Sequence, residues 1–160
     1  MINIKIICVG SLKEKYWKDA EAEYAKRLKR FGGWSVVEFS EVSLPDNPSQ
    51  KEIDTALKKE GEAILKKLPP QSYKIALCVE GKTCSSEQLA AMLAQLPQEG
   101  KSEVALIIGS SHGLDEGVKT ACHKRLSISP MTFPHQMMRV ILAEQFYRAH
   151  KINANENYHK

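Results

Sequence analysis

TFPHQMMRVILAEQFYRAHKI, residues Thr132 to Ile152, runs on through NANENYHK to Lys160, and its reading decides the fold. Met138, Ile141, Leu142, Phe146 and Ala149 recur at three-to-four spacing, so one face of a helix is buried. Pro134 marks the first helical turn, with Thr132 just upstream as a candidate cap. Arg139, Glu144, Arg148 and Lys151 are assigned to the opposite, polar face. A C-terminal packing helix with a solvated tail is the plain reading. The exposed Tyr158-His159-Lys160 ending is unusual for a helix with only that task.

Upstream of this helix, strand-like and helix-like segments alternate. Ile2 to Val9, Ser35 to Val42, Tyr73 to Val79, Val104 to Ile108 and Arg125 to Ile128 read as strands. Helices are predicted from Glu14 to Lys29, from the Ser49-x-x-Glu52 capping box to Leu68, after Ser85 or Ser86, and from Leu114 to Lys124. This alternation implies an α/β fold: a mainly parallel sheet covered on both faces. With 160 residues and no linker or low-complexity stretch, one domain spanning 1–160 is expected.

Ligands in such sheets sit beyond the carboxyl ends of the strands. Three of those ends carry loops, Leu77–Lys82, Gly109–Gly113 and Ile128–Phe133, which should meet at one crevice. The net charge of +4 is compatible with a polyanionic partner and does not demand one. Cys8, Cys78, Cys84 and Cys122 form no C-x-x-C pair and lack the histidine spacing of a zinc site, so no metal is expected. The N-terminal apolar run is short and interrupted by Lys5, and no stretch has membrane-spanning length. A reduced, cytoplasmic protein without a membrane association is expected.

Gly109-Ser-Ser-His-Gly113 also matches G-x-S-x-G, the nucleophile elbow of serine hydrolases. Ser111 would be the nucleophile, Asp115 or Glu116 the acid, and His135, His150 or His159 the base. The chain is short for that fold, and an acid four or five residues after the serine makes a poor triad. A non-catalytic RNA- or nucleotide-binding module is a further alternative.

Blocks along the whole chain resemble one family. They are Ile6-Ile-Cys-Val-Gly-Ser-Leu-Lys13 with Tyr16-Trp17, Lys59-Glu-Gly-Glu62, Leu77-Cys-Val-Glu-Gly-Lys82, Ile107-Ile-Gly-Ser-Ser-His-Gly-Leu114 and the quoted C-terminal segment. Together they resemble the SPOUT methyltransferases, specifically the small ribosomal type that methylates N3 of a pseudouridine in 23S rRNA. The resemblance implies a C-terminal trefoil knot, a feature rare among folds. It implies S-adenosylmethionine bound by Leu77, Gly109, Ile128, Ser129, Pro130, Met131, Thr132 and Phe133. Leu77, Ile128 and Met131 suit an adenine, and Gly109 suits close backbone approach. It further implies a homodimer whose tails serve the partner's site, and the assembled ribosome as substrate. The family usually has two glycines where this chain has Gly109-Ser110. If that position required positive φ, the serine would weaken cofactor binding.

Methyl transfer from a sulfonium needs alignment and exclusion of water, and an imide nitrogen must also lose its proton. Arg148, Tyr158 and His159 are the expected catalytic set, with His159 as candidate proton acceptor. Arg139 and Arg148 are nine residues apart and point about 180° apart on one helix, so they serve different surroundings. His135 is expected to orient the preceding loop. Lys13, Lys15, Lys26, Arg27, Lys29 and Arg30 form a basic run whose default role is a solvated helix face.

Overall fold

The computed structural model describes residues 1–160. Its strands are β1 (Asn3–Val9), β2 (Trp34–Phe39), β3 (Tyr73–Lys82), β4 (Glu103–Ile108) and β5 (Lys124–Leu126). They form one all-parallel sheet in the order β2-β1-β4-β3-β5. Parallel neighbours cannot be joined by tight turns, so helices carry the chain between them. These are α1 (Lys15–Leu28), α2 (Gln50–Lys67), α3 (Ser86–Gln95), α4 (Glu116–Thr120) and the terminal α5 (His135–Asn153).

The pleat sorts the strand residues into two cores. Ile4, Ile6 and Cys8 of β1 pack with Val104, Leu106 and Ile108 of β4 against Leu89 and Leu93 of α3 and Leu142 and Phe146 of α5. Ile7, Val9, Ala105 and Ile107 face the other way, onto Ile64 of α2 and Val118 of α4. The central strands are therefore apolar on both faces, as a covered parallel sheet requires.

Local signals set the helix boundaries. Ser49 and Glu52 form the expected reciprocal capping box, and Ser85 with Gln88 forms a second. Other boundaries differ from expectation. β2 stops at Phe39 rather than Val42, because the next residues turn away: the Val42 amide donates to buried Glu60 of α2 instead of a strand neighbour. β3 continues to Lys82 through an irregularity after Leu77. Gly109–Leu114 is occupied by the turn, so α4 starts late, at Glu116, with Asp115 capping it. β5 covers Lys124–Leu126 rather than Arg125–Ile128.

Thr132 does not cap α5. The N-cap is Pro134, without a side-chain cap bond. Arg139 is not on the solvated face either. It is 6% exposed, because it crosses to α1 and β2 rather than to water.

Candidate active site

Two adjoining cavities open at the carboxyl ends of the strands. The smaller, of about 310 Å³, is lined by residues from the ends of β3 and β4 and from the segment after β5. Leu77, Gly109, Ile128, Ser129, Met131, Thr132 and Phe133 all line it. Pro130 is exposed and lies outside the lining. The three loops expected at one crevice do meet there.

Close backbone packing shapes this cavity. A Cβ added to Gly109 would come within 2.1 Å of the Gly113 carbonyl oxygen, so the crowding comes from the turn itself. Ser110 sits in the same turn without positive φ, since Asn155 is the one non-glycine residue there. The serine therefore strains nothing. A Cβ on Gly81 would lie 2.6 Å from the Leu126 carbonyl carbon, and the Ser127 amide donates to the Lys82 carbonyl at 3.1 Å. The end of β3 and the segment after β5 thus press backbone to backbone at the cavity wall.

The loop after β5 is held from within. Ser127 donates its hydroxyl to the Ser129 carbonyl, and the Met131 amide donates to Ser129 Oγ at 3.0 Å. Met131 and Val79, two apolar side chains on the cavity lining, are 75% and 82% exposed. The polar elements and apolar walls, within a volume at the lower end of small-molecule sites, fit an adenosyl group.

The larger cavity, of about 620 Å³, shares Ile108, Ser110, Ser111, Thr132, Phe133 and His135 with the smaller. Its other walls include Cys8 and Val9 at the end of β1, Gly10 and Lys13 after it, Glu41 after β2, and Gln136 and Arg139 of α5. The Gln136 side chain accepts from the Lys13 amide at 2.7 Å and so ties the β1 loop to α5. Arg139 donates twice to Glu21, at 3.0 and 2.7 Å, and to Glu38 at 2.6 Å. Burial works against its charge, but the hydrogen bonds it donates to Glu21 and Glu38 outweigh that and hold it protonated. Burial pushes the neighbouring Cys8 thiol up to about 11, with Arg139 opposing, so this sulfur is no nucleophile at neutral pH.

The β1 and β2 contributions to this cavity were absent from the sequence reading. Part of their signal was in the sequence, since the Ile2–Val9 run also ends at a loop, at Gly10; that this end lies beside β4 was not.

Arg148, Tyr158 and His159, the expected catalytic set, lie together but away from both cavities. Arg148 donates to Glu144 at 2.5 Å and to His159 Nδ1 at 3.3 Å, and its guanidinium lies 4.8 Å from the Tyr158 ring centroid. Tyr158 donates to Glu144 at 3.1 Å, and His159 Nε2 lies 2.7 Å from Glu87. Burial, followed by hydrogen bonds with Tyr24 and Glu144, raises the Tyr158 pKa and keeps it a neutral phenol. Arg148 stands thirteen residues beyond His135 on α5, roughly 20 Å along the axis. Tyr158 and His159 thus pack on α3 and α5 rather than standing free in solvent.

The hydrolase triad is not assembled. Ser111 donates to Glu41 at 3.2 Å and makes no hydrogen bond to His135, which lines the same two cavities. Asp115 caps α4, Glu116 pairs with Arg125, His159 pairs with Glu87, and His150 is buried against Phe31. Half of the basic run on and around α1 is paired, Lys15 with Asp19, Arg27 with Glu23 and Arg30 with Glu156, while Lys13, Lys26 and Lys29 form no ion pair. No helix is long and apolar enough to cross a membrane.

Known proteins share this architecture. At 16% identity and a TM-score of 0.54, the fold matches a "probable methylase family protein" of Haemophilus influenzae Rd KW20, covering 98% of this chain and 70% of that one. At 18% identity and a TM-score of 0.54, it matches a "probable methyltransferase" of Bordetella pertussis Tohama I, covering 91% and 93%. These likenesses establish a shared fold. In sequence, the chain is 52% identical over 159 residues to the ribosomal RNA large subunit methyltransferase H of Clostridium novyi (strain NT), covering 99% of this chain and all of that one. The family model described as "Predicted SPOUT methyltransferase" matches residues 2–159. Sheet, crevice and sequence thus agree along the whole chain, which belongs to the SPOUT methyltransferases, a family of S-adenosylmethionine-dependent enzymes.

Proposed function

We propose that this protein methylates N3 of a pseudouridine in 23S rRNA within the assembled ribosome, with S-adenosylmethionine as donor. The single observation that carries the chemistry is the pair of cavities with one shared wall. A small apolar-walled cavity suits the donor, and a larger one beside it suits an acceptor base. The name of the Clostridium novyi relative supports large-subunit rRNA as the acceptor molecule, and the resemblance of the sequence blocks supports N3 of a pseudouridine within it.

In this reading Leu77, Gly109 and Ile128 to Phe133 hold S-adenosylmethionine, with Met131 against the adenine. Bound there, it supplies a methyl group on a positively charged sulfur. The protein's share is alignment, exclusion of water and management of the acceptor's proton. Lys13 places a cation beside the larger cavity, where negative charge grows on the acceptor base.

Arg148, Tyr158 and His159 are the catalytic residues of this reading, acting in the partner's site of a homodimer. Their separation from both cavities of their own subunit supports that arrangement, as do the exposed Val79 and Met131 on the cavity lining. Tyr158, as a neutral phenol, donates to the acceptor base, and Arg148 offsets its negative charge. His159 takes the N3 proton once its nitrogens are freed from Arg148 and Glu87. The trefoil knot belongs to the same reading, supported by membership of the family. One domain over 1–160 and a cytoplasmic location complete it.

The test is transfer of tritiated methyl from S-adenosylmethionine to intact ribosomes, separated subunits and free rRNA from cells lacking the activity. Label in the rRNA of assembled particles is expected. No label in any sample, with S-adenosylmethionine still bound, would overturn the substrate.

A further inference from the structure

Four serines line the smaller cavity: Ser110, Ser111, Ser127 and Ser129. Three have partners. Ser111 donates to Glu41, Ser127 to the Ser129 carbonyl, and Ser129 accepts from the Met131 amide. Ser110 is the most buried of the four, at 3% exposure, and its hydroxyl makes no hydrogen bond within the protein. The residue is buried but its oxygen is not sealed off, so the partner it lacks within the protein can reach it through the cavity. Ser110 lies on the wall shared by both cavities, where that partner can only be ligand or water.

We propose that Ser110 is a catalytic residue whose hydroxyl donates a hydrogen bond to a carbonyl oxygen of the acceptor pyrimidine, beside the nitrogen that is methylated. The inference rests on the proposed function above. In the transfer, the N3 proton leaves to a base, the nitrogen lone pair forms the new N–C bond, and the electron pair of the broken C–S bond stays on sulfur. Ser110 gains and loses no proton. Its bond strengthens as charge moves onto the flanking oxygen, so it favours the transition state over the ground state. The donor does not compete for this hydroxyl near the transfer point, because a sulfonium methyl offers only weak C–H contacts.

Ser110→Ala and Ser110→Gly remove the hydroxyl without breaking any protein hydrogen bond, and the backbone is not in the left-handed region, so both variants fold. With ribosomes as substrate, kcat falls about tenfold in each. The limb of kcat against pH that reports loss of the acceptor proton moves to higher pH. Calorimetry gives an S-adenosylmethionine Kd within about twofold of the parent. An unchanged kcat and pH limb overturn the proposal and leave Ser110 bonded to water only. A weakened S-adenosylmethionine Kd with unchanged kcat overturns it in favour of a donor contact. A parent enzyme that methylates no ribosomal sample refutes the underlying function instead.

Discussion

Nη1 of Arg148 lies 3.3 Å from Nδ1 of His159. Arginine has no acceptor, so Nδ1 must offer its lone pair. The ring proton is then on Nε2, which donates to Glu87 at 2.7 Å. The Glu87 carboxyl is held down to about 2, by a hydrogen bond from its own backbone amide first and by His159 second. Both nitrogens are committed in this posture. Long-range ¹⁵N–¹H spectra at neutral pH are expected to show the Nε2–H tautomer of His159. Glu87→Ala should mix the tautomers. A predominant Nδ1–H form in the parent would contradict the geometry.

A tail that works in the partner's site makes two defects complementary. Gly109→Ala drives a Cβ into the Gly113 carbonyl and should weaken S-adenosylmethionine binding more than tenfold. Arg148→Ala should spare that binding and lower kcat on the order of 100-fold. Purified heterodimers of the two variants hold one complete site and should recover about half of parental activity. No recovery would place the tail's action within its own subunit.

Arg139 joins α5 to α1 and β2 through Glu21 and Glu38, with side-chain exposures of 7% for the arginine and 11% for Glu21. Removing one member leaves the other charge buried. Arg139→Ala and Glu21→Ala should each cost roughly 3 kcal/mol in urea unfolding. The double variant should cost less than the sum of the two. Strict additivity would refute the coupling.

His150 stacks on Phe31 at 4.9 Å, and its Nε2 is buried without a partner. Burial lowers its pKa from 6.5 to about 4. The unfolded chain therefore takes up the proton first as pH falls. Stability is full above pH 6.5 and is lost progressively towards pH 4, by roughly 2–3 kcal/mol from this residue. His150→Leu should flatten the unfolding free energy across that window, and an unaltered slope would clear His150 of the effect.

The sheet was legible because apolar runs such as Val104–Ile108 and the helical spacing along α5 state their periods plainly. The crevice was legible for the same reason, since strand ends predict it before any side chain is placed. Arg139 was misread because periodicity counts any charged residue as solvated. Only the fold brings Glu21 and Glu38, 118 and 101 residues away in sequence, to neutralise it. Thr132 looked like a cap, but the preceding loop bends to line the cavity and leaves Pro134 to begin the helix. The second cavity depends on the adjacency of β1 and β4, a pairing no local pattern encodes.

Methylation of a base nitrogen in large-subunit rRNA can be read directly from the modified nucleosides. Ribosomes labelled by the purified enzyme would be digested to nucleosides and resolved by mass spectrometry. The account predicts one labelled nucleoside, a pseudouridine methylated at N3, from the large-subunit rRNA. Label on a ribose, on another base or on ribosomal protein would contradict it.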